Sequence, residues 1–238
     1  MRKAGFRNAP AGNSTPPTRD IESEMTDFKR SLTEGIAKLF NNPTHSDVKI
    51  YIGEHELPAH AIVLTSQSLF FEKALSEKFR EGQTKEFVFK EEGRMHAHWR
   101  VFEYMYTGSY SEEPAQALGT QDDHELVKDV RVYVTADFFL LADLKQYALA
   151  RFKSKLERFW KSELLVDCIR EIYTSTTESE RRLRTAVVET VIAHRAELWK
   201  KKSFQDLARG GGDFVVELMG VFCASTGSTT SRRSSHIF

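Results

Sequence analysis

The sequence predicts an α+β fold: a small β-sheet flanked by a cluster of α-helices, with a C-terminal helical extension. Three observations predict it. Apolar and polar residues alternate from Val48 to Ile52, Gly53-Glu54 can make a tight reversal, and His55–Ala59 can return as the second arm of a hairpin. The pattern then turns helical, with Ile62, Val63 and Leu64 clustered and Leu69, Phe70 and Phe71 following a Ser-Gln-Ser break. Elsewhere apolar residues recur at steps of three or four, and only residues 87–89 offer a further strand.

The totals bound what such a fold can do. A chain of 238 residues with 17 Phe and 40% apolar residues can build one large core or two small ones. Its formal charge is zero and its pI is about 7.1, so no global field draws it to nucleic acid or to an anionic membrane. Cys168 and Cys223 lie far apart in sequence, against a disulfide framework and against a cysteine-based zinc site. No apolar run reaches the ~20 residues of a membrane helix, and Arg2, Lys3 and Arg7 are not followed by the apolar stretch of a secretion signal. A transit peptide is the alternative for that segment. The expected location is the cytoplasm or the nucleus.

Residues 1–20 are rich in Pro, Gly, Asn, Ser and Thr and are expected to be a disordered tail. A leading amphipathic helix is expected within 21–43, where Met25, Phe28, Leu32, Ile36 and Leu39 form one stripe and Asn41-Asn42-Pro43 ends it. Gly35 weakens that helix by about 1 kcal/mol against Ala. The stripe can pack on its own domain or on a second copy of the chain. Pro58 lacks a backbone donor, so it suits an edge or the end of the second strand.

Gly82-Gln83 reads as a break before the third strand. Met95 to Tyr106 reads as a helix with Trp99, Phe102, Met105 and Tyr106 on one face, and Gly108 sits where a helix end commonly needs a left-handed residue. An acidic, Pro- and Gly-containing loop spans 112–125, and helices are expected at 126–141 and 144–156. Beyond them come a stripe of Leu164, Leu165, Cys168, Ile169, Ile172 and Tyr173 and a longer one of Leu183, Val187, Val191, His194 and Leu198. After a short element at 204–207 and the flexible Gly210-Gly211-Gly212, Asp213 is a plausible N-cap for a last helix. Residues 224–238 are of low complexity and are expected to be a second disordered tail.

Several of these residues resemble the signature of the BTB/POZ domain family. Ser46-Asp47-Val48, Ala59-His60 and Val63-Leu64-Thr65-Ser66-Gln67-Ser68-Leu69-Phe70 are similar to its first strand, its A-H step and its V-L-x-x-x-S-x-x-F helix pair. Tyr106-Thr107-Gly108 resembles its Y-T-G motif and Ala136-Asp137 its A-D step. The stretch 130–137 is most like the shorter BTB proteins of filamentous fungi. The resemblance covers about 44–155 and implies a domain at 44–156, with 157–223 as the helical extension. It implies a non-enzymatic protein–protein interaction module without cofactor or metal, and a homodimer formed through the helix ahead of the S-D-V strand.

A finer role in the same family is that of substrate adaptor for a cullin-3 ubiquitin ligase. Members that bind cullin often carry a hydrophobic-x-Glu step in the helix that holds the A-D match; the nearest counterpart here is Val130-Arg131-Val132, with Val132 where Glu is expected. Val130 and Val132 are therefore the candidate cullin-contact positions. Substrate choice would fall to helices 160–222, since no kelch, MATH or zinc-finger region is seen. Members that repress transcription pair the aspartate of the first strand with a basic residue after the A-H step; Asp47 is present, but Ala61 stands at the second position.

Few residues carry the spacing of a reaction centre. Asp47, His60 and Ser66 could be cast as a catalytic triad, although a histidine at a strand-to-helix junction more simply satisfies backbone groups. His96-x-His98 puts two rings on different faces of a helix, and His124-Glu125 fails as H-E-x-x-H because its fifth position is Lys128. Gly210-Gly211-Gly212 lacks the Lys-Ser/Thr of a phosphate loop. Lys200-Lys201-Lys202 can complement a helix C-terminus or form a basic patch. Arg232-Arg233-Ser234-Ser235 resembles a basophilic kinase site, with Ser234 and Ser235 as acceptors. Protein partners are expected, and nucleic acid, membrane and small-molecule substrates are not.

Overall fold

The computed structural model describes residues 21–76, 78–91 and 93–227. Both expected tail segments up to residue 20 and beyond 227, with Ser234 and Ser235, lie outside these residues.

The hairpin forms where the alternation placed it. β1 (Val48–Ile52) and β2 (His55–Ala59) pair antiparallel, with Ile52 opposite His55 and Val48 opposite Ala59. Gly53, at φ +60°, makes the reversal, and a side chain there would meet the Met95 sulfur at 2.7 Å. Ile50, Ile52, Leu57 and Ala59 all point inward. β3 (Glu86–Phe89) lies on the far side of β1 and runs parallel to it, giving the order β2-β1-β3. Pro58 is thus on an edge strand.

A parallel return needs a crossover. It is supplied by three short helices, α2 (Ala61–Gln67), α3 (Leu69–Ala74) and α4 (Arg80–Thr84). The last corrects the expected break: Gly82 sits inside α4, buried, where a Cβ would lie 1.9 Å from the Ser76 carbonyl oxygen. Close backbone approach, rather than chain breaking, is its purpose.

The core is closed by α5 (Met95–Thr107), α6 (Glu125–Phe138) and α7 (Ala142–Phe159). α5 ends at Gly108 in the left-handed conformation (φ +74°). At its centre Phe71 stacks on Phe139, ring centroids 5.0 Å apart, with Phe87 and Phe102 against Phe71. α6 stops at Phe138, short of the expected 141, because the Leu141 and Leu140 amides turn back onto the Ala136 and Asp137 carbonyls. Leu140 takes the left-handed position (φ +58°) that glycine usually fills.

The leading helix α1 spans Ile21–Ala37, ending before the expected residue 40 in a run of turns. In the C-terminal extension, α8 is Leu164–Ser175. The expected long helix over 183–198 is broken at His194 into α9 (Arg181–Ala193) and α10 (Arg195–Leu198), and the His194 ring stacks on Trp160 at 3.6 Å. The short element at 204–207 is a full helix, α11 (Lys202–Gly210). α12 begins at Asp213, so that residue is helical rather than capping, and runs to Gly227, past the expected start of the tail at 224. The extension shares the core: the Cys168 thiol donates to the Leu126 carbonyl (3.3 Å), Tyr133 donates to Glu180 (2.5 Å), and Arg131 holds Glu171 at 3.1 Å.

Candidate functional site

The signature residues converge on the junction between β2, α2 and α5, and they act as fastenings. The Thr44 carbonyl can only accept, so its 2.9 Å contact places the hydrogen of the His60 ring on Nε2. Nδ1 then accepts from the Tyr106 hydroxyl at 2.9 Å, while that oxygen accepts from the His60 amide, also at 2.9 Å. Burial pushes the Tyr106 hydroxyl up to about 12. The Asp47 carboxylate accepts from the Ala61 amide at 2.7 Å, capping the start of α2. Ser66 donates to the Val63 carbonyl at 3.0 Å. Asp47, His60 and Ser66 therefore do not form a relay: each is committed to a different partner.

The other signature positions do similar work. Ser68 accepts from the Phe71 amide (3.2 Å) and donates to the Phe139 carbonyl (2.7 Å), tying the start of α3 to the end of α6. Leu64 and Ala136 are buried, while Phe70 is partly buried against Phe71 and Phe139. Thr107 donates to the Ser109 carbonyl beside Gly108 (2.7 Å), and Asp137, exposed, pairs with Lys145 at 2.6 Å.

The stripe expected on the leading helix is divided, and Leu39 falls in the turns after α1. Ile36 and Leu39 pack against the core, and neighbouring Phe40 meets Trp99 edge-on at 5.1 Å. Met25, Phe28 and Leu32 stand free, each more than half exposed. Three large apolar side chains on one face of a helix leave an apolar strip in water.

A second apolar surface was missed in the sequence. Phe79, Val88, Phe138 and Leu140 are each more than half exposed. Phe70, Phe79, Val88 and Leu140 line a groove of about 530 Å³ beside the free edge of β3. A smaller cavity of about 360 Å³, lined by Lys90, Arg94, His98 and Phe138, continues past Val88. The available signal was Phe79, a large aromatic set between Lys78 and Arg80, which the expected break at Gly82 obscured.

Val130 and Val132 contradict their expected role. Both are wholly buried on the inner side of α6, so neither can meet a partner. An exposed hydrophobic-x-Glu triplet lies elsewhere: Phe79-Arg80-Glu81, whose three side chains all line the larger groove.

The remaining candidates are held by neighbours. Lys200 pairs with Glu197 (2.7 Å), Lys201 with Glu163 (2.8 Å) and Lys202 with Asp206 (3.0 Å), so the lysine run is locally neutralised. His98 stacks on Phe89 at 4.7 Å, and burial lowers its pKa. His96 lies buried under the acidic loop. Lys128 pairs with Glu125 at 2.9 Å. Among the described residues no group of three or more His, Cys, Asp and Glu could hold a metal ion, and no helix is long and apolar enough to cross a membrane. Cys168 is buried, which pushes its thiol pKa up; Cys223 is exposed.

A three-stranded sheet with a crossover of short helices is fastened at a His–Tyr junction, and its signature residues serve as internal ties of an α+β scaffold. Residues 36–148 match the BTB/POZ domain, and this part of the chain is a BTB/POZ domain, a protein–protein interaction module. Among curated proteins the chain is similar to the TD and POZ domain-containing protein 2 of Mus musculus, 23% identical over 210 residues, which cover 84% of this chain and 50% of the relative. The chain thus spans about half the length of that relative. The match is longer than the BTB/POZ region and reaches into the C-terminal helices. Neither comparison carries the likeness to fungal proteins.

Proposed function

We propose that this chain self-associates through the exposed face of α1 and docks partner proteins on the BTB/POZ body, acting in the cytoplasm or nucleus. The free strip of Met25, Phe28 and Leu32 carries this reading. A stable interface buries ~1,200–2,000 Å², so the two strips would form its apolar centre with further surface around them. Sedimentation velocity of the full chain across a concentration series tests it. A dimer is expected that becomes monomeric in the Phe28→Glu, Leu32→Glu variant with its circular dichroism unchanged. A wild-type monomer at high micromolar concentration would refute it.

A second reading, substrate adaptor of a cullin-3 ubiquitin ligase, is favoured by one observation: an exposed hydrophobic-x-Glu triplet, Phe79-Arg80-Glu81, on the rim of the apolar groove beside β3. Helices α8–α12 would then select the substrate. Pull-down of cullin-3 by the wild-type chain, lost in Phe79→Ala, is the expected result. Recovery of no cullin where a known adaptor recovers it would remove this role. A transcriptional-repressor role is disfavoured, since Asp47 spends its carboxylate on a helix cap instead of a basic side chain.

A further inference from the structure

The acidic loop after α5 is held by charge. Its apolar anchors are Tyr110, buried at its start, and Leu118, partly buried midway. By contrast Arg100 of α5, 2% exposed, gives its whole guanidinium to the loop. Nε donates to the Ser111 carbonyl (3.0 Å), Nη1 to Asp122 Oδ1 (3.0 Å), and Nη2 to Asp122 Oδ2 (2.5 Å) and the Glu112 carbonyl (3.4 Å). Lys128 of α6 donates to the Glu112 carbonyl (2.7 Å) and pairs with Asp122 (3.3 Å). On α7, Lys155 pairs with the Glu112 carboxylate at 2.7 Å, and Arg151 pairs with it as well. His96 accepts from the Ala115 amide (3.3 Å) and reaches the Thr120 carbonyl (3.1 Å).

The charges balance in a telling way. Arg100, Lys128, Arg151 and Lys155 are four cations contributed by three helices. Asp129, fully buried, takes Lys155 (2.9 Å) and Arg151 (3.4 Å), and Glu125 takes Lys128 (2.9 Å), which offsets two of the four. Glu112 and Asp122 of the loop offset the other two. Their carboxylates sit below the usual range, because these hydrogen bonds and cations outweigh the upward pull of burial.

We propose that residues 111–122 are a strap occupying in cis a cationic seat, and that the strap lifts as a unit from an otherwise folded domain to admit an acidic peptide segment in its place. Little apolar surface is lost on lifting, and every charge the strap uncovers regains water. The two ends mark the hinges: the Tyr110 carbonyl is held by Arg151 (2.8 Å), and Asp123 is held by Arg131.

Backbone hydrogen exchange of the full chain tests this, with Glu112→Gln as the variant and hexaglutamate as the probe. Glu112 is partly exposed, and Arg151 and Lys155 keep Asp129, so the variant retains its fold. Amides of 112–122 are expected to exchange at least tenfold faster in the variant, and likewise in wild type with excess hexaglutamate, with α5–α7 unchanged and hexalysine without effect. Strap amides that exchange in step with α6 under every condition would overturn the proposal. A strap that quickens in Glu112→Gln yet ignores hexaglutamate would overturn the seat's assignment to an acidic segment.

Discussion

The Tyr106 hydroxyl satisfies two buried groups of His60 at once, the amide and Nδ1. Tyr106→Phe leaves both without a partner, at an expected cost of about 1–3 kcal/mol in urea unfolding. The same hydroxyl sets an alkaline limit. Burial raises its pKa from 10.0 to about 12, so between those values the folded chain keeps a proton that the unfolded chain has lost. This contribution is complete below about pH 10 and disappears as pH rises through 12. Urea midpoints across that range should fall less steeply in Tyr106→Phe. Leu140 makes the opposite prediction. A non-glycine residue in the left-handed region costs about 1–2 kcal/mol, and this side chain, 54% exposed, recovers little by burial. Leu140→Gly should stabilise the domain by up to about 1 kcal/mol, after the entropy that glycine adds to the unfolded chain. A lowered urea midpoint would contradict this.

At the scale of elements, local pattern carried far. The hairpin limits, the α2–α3 pair and the C-terminal end of α5 were legible because alternation, a Ser-Gln-Ser break and a left-handed glycine are local signals. That His60 satisfies backbone groups was legible from its place between strand and helix, but its partners were not, since Thr44 and Tyr106 are remote from it in sequence. α4 was missed because glycine reads as a breaker until the chain that crosses it is known. Gly82→Ala should therefore cost about 1–3 kcal/mol through overpacking, because the obstructing Ser76 atoms are backbone. The variant should also disturb the Phe79-Arg80-Glu81 rim; calorimetry reads the first effect and hydrogen exchange at residues 79–84 the second. Val130 and Val132 were misplaced for a different reason. Motif spacing says nothing about which side of a helix the core will claim.

Across the whole molecule, the C-terminal helices are joined to one another by buried polar contacts that no periodicity announces. Arg184 of α9, 2% exposed, donates to the Thr176 carbonyl (2.7 Å) and to Glu217 of α12 (3.1 Å), over the Tyr173 ring at 4.5 Å. Arg184→Ala should cost about 1–3 kcal/mol, chiefly for the Thr176 carbonyl left without its donor, since Glu217 is partly exposed and regains water. If α8–α12 and the body are one cooperative unit, the urea transition stays single with an unchanged slope; a split transition would show two units. The ion pairs beneath the acidic loop were equally hidden, since Arg100 and Asp122 are separated by a loop whose path only the fold reveals.

The two margins of the sheet differ. On β2, Pro58 removes an amide from the outer side, while β3 carries Val88 and no proline along its open side. Growth of the sheet by misassembly would therefore run one way, from β3 outward. Two damaged copies of this chain would join β3 to β3 and leave no open edge for a third, and a single proline at Val88 should stop even that pairing.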